Sequence, residues 1–78
     1  MTSELDTTGL KCPLPVLRAK KRLKDIDAGA VMRVLATDPD AVADFEAFCT
    51  ETGHTFIDWF QDGDVLTITI QKSGQKSG

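Results

Sequence analysis

Histidine occurs once in this sequence and cysteine twice, and no apolar run approaches the length needed to cross a membrane. Each scarcity removes a class of function. A solitary histidine, His54, without a Cys/His cluster excludes a zinc site of the usual make-up. It reads as a structural or solvated residue at a strand start. With no Cys-x-x-Cys, dithiol redox cycling within one subunit is excluded. No glycine-rich phosphate loop or metal constellation appears, so neither nucleotide nor metal is expected as a cofactor. Met1-Thr2-Ser3-Glu4 lacks the basic and apolar regions of a signal peptide. Two cysteines in that context point to free thiols in a reducing compartment. The expected location is cytoplasmic, with no membrane partner.

What the chain does have is unevenly distributed. Its 78 residues make one domain, expected over 1–72 with a flexible tail at 73–78. A chain this short buries about 60–65% of its unfolded surface, so its stability margin is thin. The net charge of −3 hides a segregation. Lys11, Arg18, Lys20, Lys21, Arg22 and Lys24 supply six of the nine basic groups within 14 residues that hold no acid. The remainder carries three basic and twelve acidic groups. Such asymmetry marks a docking face, because charge complementarity steers encounter.

That basic segment begins with Gly9-Leu10-Lys11-Cys12-Pro13-Leu14-Pro15. Pro13 suits the first position of a helix, where its fixed φ is already helical and its missing N–H is no loss. Pro15 is tolerated one turn in for the same reason. Cys12 then falls at or next to the N-cap. The helix N-terminus and Lys11 are both expected to favour its thiolate. Gly9 supplies a loop conformation that other residues resist. Helix one should run from Pro13 to about Ile26, burying Val16, Ala19, Leu23 and Ile26. Leu14 and Leu17 fall instead on the basic side, and with Lys11, Lys20, Lys21 and Lys24 they form the expected partner-docking patch.

A short strand over Glu4–Thr7 precedes the motif, and a second is expected over Val31–Thr37. Asp38 and Pro39 read as cap and first residue of helix two, which ends at Gly53. Its apolar arc is Ala41, Val42, Phe45, Phe48 and Cys49, so Cys49 reads as packing. Strands over His54–Gln61 and Asp64–Gln71 form a hairpin around a type I′ Asp62-Gly63 turn. That pairing puts Ile57 and Trp59 with Leu66, Ile68 and Ile70 toward the helices. Phe56, Phe60 and Val65 then go to the open sheet face, as an interaction patch. The order βαβαββ, with right-handed crossovers, gives an α/β two-layer sandwich: two helices on one face of a four-stranded mixed sheet.

No histidine or acid adjoins Cys12 in sequence, so the usual general base for acyl transfer is missing. What remains is thiol chemistry that needs only an accessible sulfur: taking a sulfane sulfur and passing it on. The Cys-Pro-x-Pro motif resembles the signature of the TusA/SirA-like sulfur carriers. The likeness extends to Leu5-Asp6, Gly9-Leu10, Asp38-Pro39 and Phe48-Cys49, and runs from Glu4 to Lys72. The resemblance implies strand order 1-2-4-3 with the last strand antiparallel to the others. It also implies a persulfide on Cys12 as the only cofactor-like group, with Gly9, Pro13 and Pro15 as motif support. A cysteine desulfurase or rhodanese would be the donor and a sulfur-relay protein the acceptor, in tRNA thiolation or sulfur oxidation. The chain would be a carrier rather than a stand-alone enzyme. Leu14 stands where the tRNA-thiolation type has Glu, which tilts the expected acceptor toward another relay. The rival readings are a non-catalytic interaction or regulatory module, an RNA-binding domain using the basic helix, and a thiol redox sensor. Direct nucleic-acid binding is disfavoured by the acidic remainder of the surface.

Overall fold

Alternation along the strands and a helical period in two segments decide which side chains meet in the core. The computed structural model describes residues 2–73. Its elements are β1 (Thr2–Thr7), α1 (Leu14–Leu23), β2 (Val31–Ala36), α2 (Ala41–Thr52), β3 (Thr55–Asp62) and β4 (Val65–Gln71). The strands form one sheet in the order β1-β2-β4-β3. β1 and β2 are parallel, and β4 runs antiparallel to both β2 and β3. Met32, Val34 and Ala36 alternate inward on β2, as do Leu66, Ile68 and Ile70 on β4. They meet Ala19 and Leu23 of α1 and Ala41, Phe45, Phe48 and Cys49 of α2 in one buried cluster. The expected two-layer α/β architecture and strand order are those observed.

Both helices are shorter than their sequence patterns predict. α1 stops at Leu23; the Asp25 N–H then closes on the Arg22 carbonyl at 2.9 Å. Ile26 therefore packs against the core from the following turn. Pro13 is the N-cap of α1 rather than its first helical residue, and Pro15 sits inside the first turn. α2 begins at Ala41 with Asp40 as N-cap. Asp38, expected as the cap, is thereby released for another task. The α2 C-terminus behaves as predicted: Gly53 takes φ +82° and its N–H reaches the Cys49 carbonyl. A Cβ at Gly53 would touch nothing, so the cost of Gly53→Ala is purely conformational. It should lower unfolding free energy by about 1–2 kcal/mol in a urea titration.

The hairpin departs most from expectation. Asp62 pairs with Val65 and Gln61 with Leu66, so the turn residues are Gly63 and Asp64. Gly63 takes φ +62°, and among the described residues no non-glycine has positive φ. That is the pattern of a type II′ turn, which needs one left-handed residue where type I′ needs two. The register moves by two residues, which preserves parity, and Trp59 pairs with Ile68 on the helix side. A bulge between Phe56 and Asp58 inverts the facing of the first residues of β3. Phe56 turns inward and packs against the core, correcting its expected place on the open face. Ile57 becomes 45% exposed, correcting its expected burial. Phe60 lies exposed and Val65 half-buried, and both lie on the face away from the helices, as predicted.

His54 anchors the end of the sheet. Its Nδ1 accepts the Ser73 N–H at 2.9 Å and its ring packs against Phe48. Burial, and then the charge of Lys72, hold its pKa below the usual imidazole value, which suits a neutral acceptor. Ser73 is thus tied to the sheet. The rest of the expected tail, 74–78, lies outside the described residues.

Candidate functional site

Parallel β1 and β2 are neighbours, so the loops that leave their C-terminal ends emerge side by side at one end of the sheet. The first loop holds the Cys-Pro-x-Pro motif and the second holds Thr37, Asp38 and Asp40. Hydrogen bonds join the two loops. Gly9, at φ +82°, donates its N–H to Thr37 Oγ1 at 2.8 Å. Cys12 donates its N–H to Asp38 Oδ2 at 2.7 Å. The other Asp38 oxygen accepts the Asp40 N–H at 2.9 Å. One carboxylate therefore fixes both the backbone of the cysteine and the approach to α2. Asp6 secures the near end of the motif loop by accepting the N–H and hydroxyl of Thr8.

Cys12 is exposed, one residue before the α1 N-cap. The Cys12–Pro13 peptide is cis, and the Leu14 N–H turns back to the Lys11 carbonyl at 2.8 Å. Pro15 is fully buried and brings no N–H to the helix start. The α1 N-terminus thus presents few donors to the sulfur.

The electrostatic expectation for Cys12 is reversed. The Asp44 carboxylate acts most strongly on the thiol and, with partial desolvation and the charges of Asp38 and Asp40, pushes its pKa up to about 11. Lys11 does not offset the acids at the sulfur. Its charge acts on Asp38, whose carboxyl is held below the ordinary range first by the Cys12 and Asp40 N–H groups and then by Lys11. Near neutral pH Cys12 therefore rests as a protonated thiol. Its alkylation by iodoacetamide should rise about tenfold per pH unit through the alkaline range without levelling near pH 8.5. Asp38→Asn should bring the plateau to lower pH, and a wild-type plateau near neutrality would contradict the acid cage.

An acid beside the cysteine is not visible in the sequence, where Asp44 lies 32 positions away. The available signal is topological: α2 must start next to the motif loop because β1 and β2 are adjacent and parallel. Asp44 also stands outside the apolar arc of α2. Thr37 and Asp38 escape notice as loop anchors because a capping role accounts for Asp38 more simply.

The expected docking residues run along α1 from the thiol end rather than clustering at it. Lys11, Leu14 and Leu17 surround the thiol end of α1, with Leu14 44% and Leu17 54% exposed. Lys21 and Lys24 continue the same stripe at helical spacing. Lys20 and Lys24 also border a groove of about 430 Å³ with Leu23, Phe48, Glu51 and Lys72. That groove is at the far end of α1, about 9–15 Å along the helix from its start. A larger groove of about 560 Å³ runs between α2 and the hairpin. It is walled by Pro39, Val42 and Leu66 and by Trp59, 46% exposed. Cys49 is buried, and burial pushes its thiol up to about 11. Among the described residues no His/Cys/Asp/Glu group could hold a metal ion. No described helix is long and apolar enough to cross a membrane.

Comparison with known proteins gives concordant matches. The family model described as sulfurtransferase TusA matches residues 3–72. A candidate sulfur carrier protein of Neisseria meningitidis is 56% identical over 72 residues, covering 91% of this chain and 97% of its own. The sulfur carrier protein TusA of Allochromatium vinosum is 47% identical over 70 residues, covering 90% of this chain and 92% of its own. The crystal structure of a SirA-like protein from Desulfitobacterium hafniense superposes with a TM-score of 0.79 at 29% identity, covering 94% of this chain and 99% of that one.

Proposed function

Because this chain belongs to the sulfurtransferase TusA family, we propose that it is a sulfur carrier that holds a sulfane sulfur as a persulfide on Cys12. The observation behind this reading is the exposure of Cys12 on a loop fixed to the sheet, while Cys49 is sealed in the core. A carrier needs a sulfur that two different proteins can reach, and Cys12 alone offers one. In loading, Sγ of Cys12 bonds to the outer sulfur of a donor persulfide, the donor S–S bond breaks, and the donor leaves as a thiol. Unloading repeats the exchange with Cys12 as donor. The chemistry is thiol–disulfide exchange in kind and needs no external oxidant.

The donor in this reading is a cysteine desulfurase or a rhodanese, the acceptor a relay protein, and the setting the cytoplasm. Leu14 and Leu17 give the partner an apolar foothold beside the sulfur, and Lys11, Lys21 and Lys24 supply the charge that steers it. The direct test incubates the protein with a cysteine desulfurase and L-cysteine, with intact mass and peptide mapping as the readout. One added sulfur, removable by thiol reductant and located on the peptide containing Cys12, is expected. A protein that takes up no sulfur from the desulfurase, or from polysulfide, is not a carrier.

A further inference from the structure

The acids around Cys12 are not equivalent, and one of them is placed for chemistry. Asp38 has both oxygens engaged, by the N–H groups of Cys12 and Asp40, and its depressed pKa makes it a poor proton acceptor. Asp40 is exposed at the α2 N-cap and reaches the sulfur only through its charge. Asp44 differs from both. It lies one turn further along α2, beside Pro13 and Val16 in a shallow groove of about 230 Å³ between the helices. Its Oδ2 is shielded from solvent and has no hydrogen-bond partner among the described residues. Pro13, the next residue after Cys12, lines the same groove as Asp44, and this carboxylate is the strongest influence on the Cys12 thiol. Nearby, Lys11 acts through its charge on Asp38, Asp6 is engaged by Thr8, and Glu51 lies on the far wall of the same groove.

Building on the persulfide reading, we propose that Asp44 is the proton acceptor for Cys12 during sulfur loading. The Asp44 carboxylate takes the Sγ proton as Sγ directs its electron pair onto the outer sulfur of the donor persulfide. The Sγ–S bond forms, the donor S–S bond breaks, and its electron pair leaves with the donor thiolate. The proton on Asp44 then passes to that thiolate. The carrier ends with a persulfide, the donor with a thiol, and Asp44 as it began. An internal acceptor matters because a docked donor covers Cys12 and excludes the water that would otherwise remove the proton. In the free protein the same carboxylate acts in the opposite sense, keeping the thiol protonated and slow toward small electrophiles.

This dual role predicts a split that neither simple charge removal nor misfolding produces. Asp44→Asn should alkylate severalfold faster than wild type with iodoacetamide near neutral pH. Loading of the same variant by a cysteine desulfurase with L-cysteine should be on the order of 100-fold slower. Asp44→Glu, which keeps a carboxylate, should recover part of the loading rate. Loading by Asp44→Asn at the wild-type rate, or accelerated in parallel with alkylation, overturns the assignment while leaving the carrier reading intact. Failure of the wild type to load at all removes both. If Asp44→Asn does not fold, the wild-type protein still decides. The ¹³C resonance of the Asp44 carboxyl should step at the pH where Cys12 ionises, and the step should vanish in Cys12→Ser. A carboxyl resonance indifferent to Cys12 overturns the assignment.

Discussion

Cys12→Ser is expected to take up no sulfur at all, while Cys49→Ser loads to the wild-type extent. Serine keeps the size of the side chain and leaves the backbone N–H to Asp38 undisturbed. The fold should therefore survive, and the loss would be purely chemical, since a hydroxyl neither attacks a persulfide nor holds one. Cys49 is 3% exposed among Phe45, Phe48 and Ile70. A donor active site has no route to it without opening the core. The measurement is intact mass after incubation with a cysteine desulfurase and L-cysteine. Sulfur retained by Cys12→Ser would exchange the roles of the two thiols.

Phe45→Ala should have the largest effect on stability, a loss of about 3–5 kcal/mol. Phe45 has no exposed surface and its ring meets Phe48 edge-on at 6.4 Å. It ties α2 to the sheet at the centre of the single core. A domain of this length draws only about 3–5 kcal/mol from such a core, so the variant should be largely unfolded at 25 °C. Far-UV circular dichroism through a urea titration reads this directly. A cooperative transition within about 1 kcal/mol of wild type would mean that the cavity collapses with little penalty. The consequence reaches the site as well, because Phe45 is the next residue after Asp44 on α2 and its packing sets where that carboxylate stands.

The parts of the fold legible in the sequence are those where local pattern and global packing agree. Met32, Val34 and Ala36 alternate inward on β2, and Ala41, Phe45, Phe48 and Cys49 share one arc of α2. Gly53 marks its helix end because few other residues tolerate that backbone conformation. The strand order comes from the family resemblance, since alternation alone does not choose which edge a hairpin takes. Ile57 and Phe56 are misplaced for a specific reason: a bulge is an extra residue in a ladder, and nothing in Thr55-Phe56-Ile57-Asp58 announces it. The thiol's setting is misjudged in a different way. Lys11 and the helix start are neighbours of Cys12 along the chain, whereas Asp38, Asp40 and Asp44 come to it only through the pairing of β1 with β2. Local charge is legible, and the field that prevails at the sulfur is tertiary.

The side-by-side emergence of the two loops at one end of the sheet also governs traffic. If Cys12 carries the sulfur, the supplier and the recipient contest the same berth at that rim. On the persulfide reading, each turnover separates one visitor before the next arrives. Relay flux should therefore obey double-displacement kinetics, with excess recipient slowing the charging step by occupancy alone.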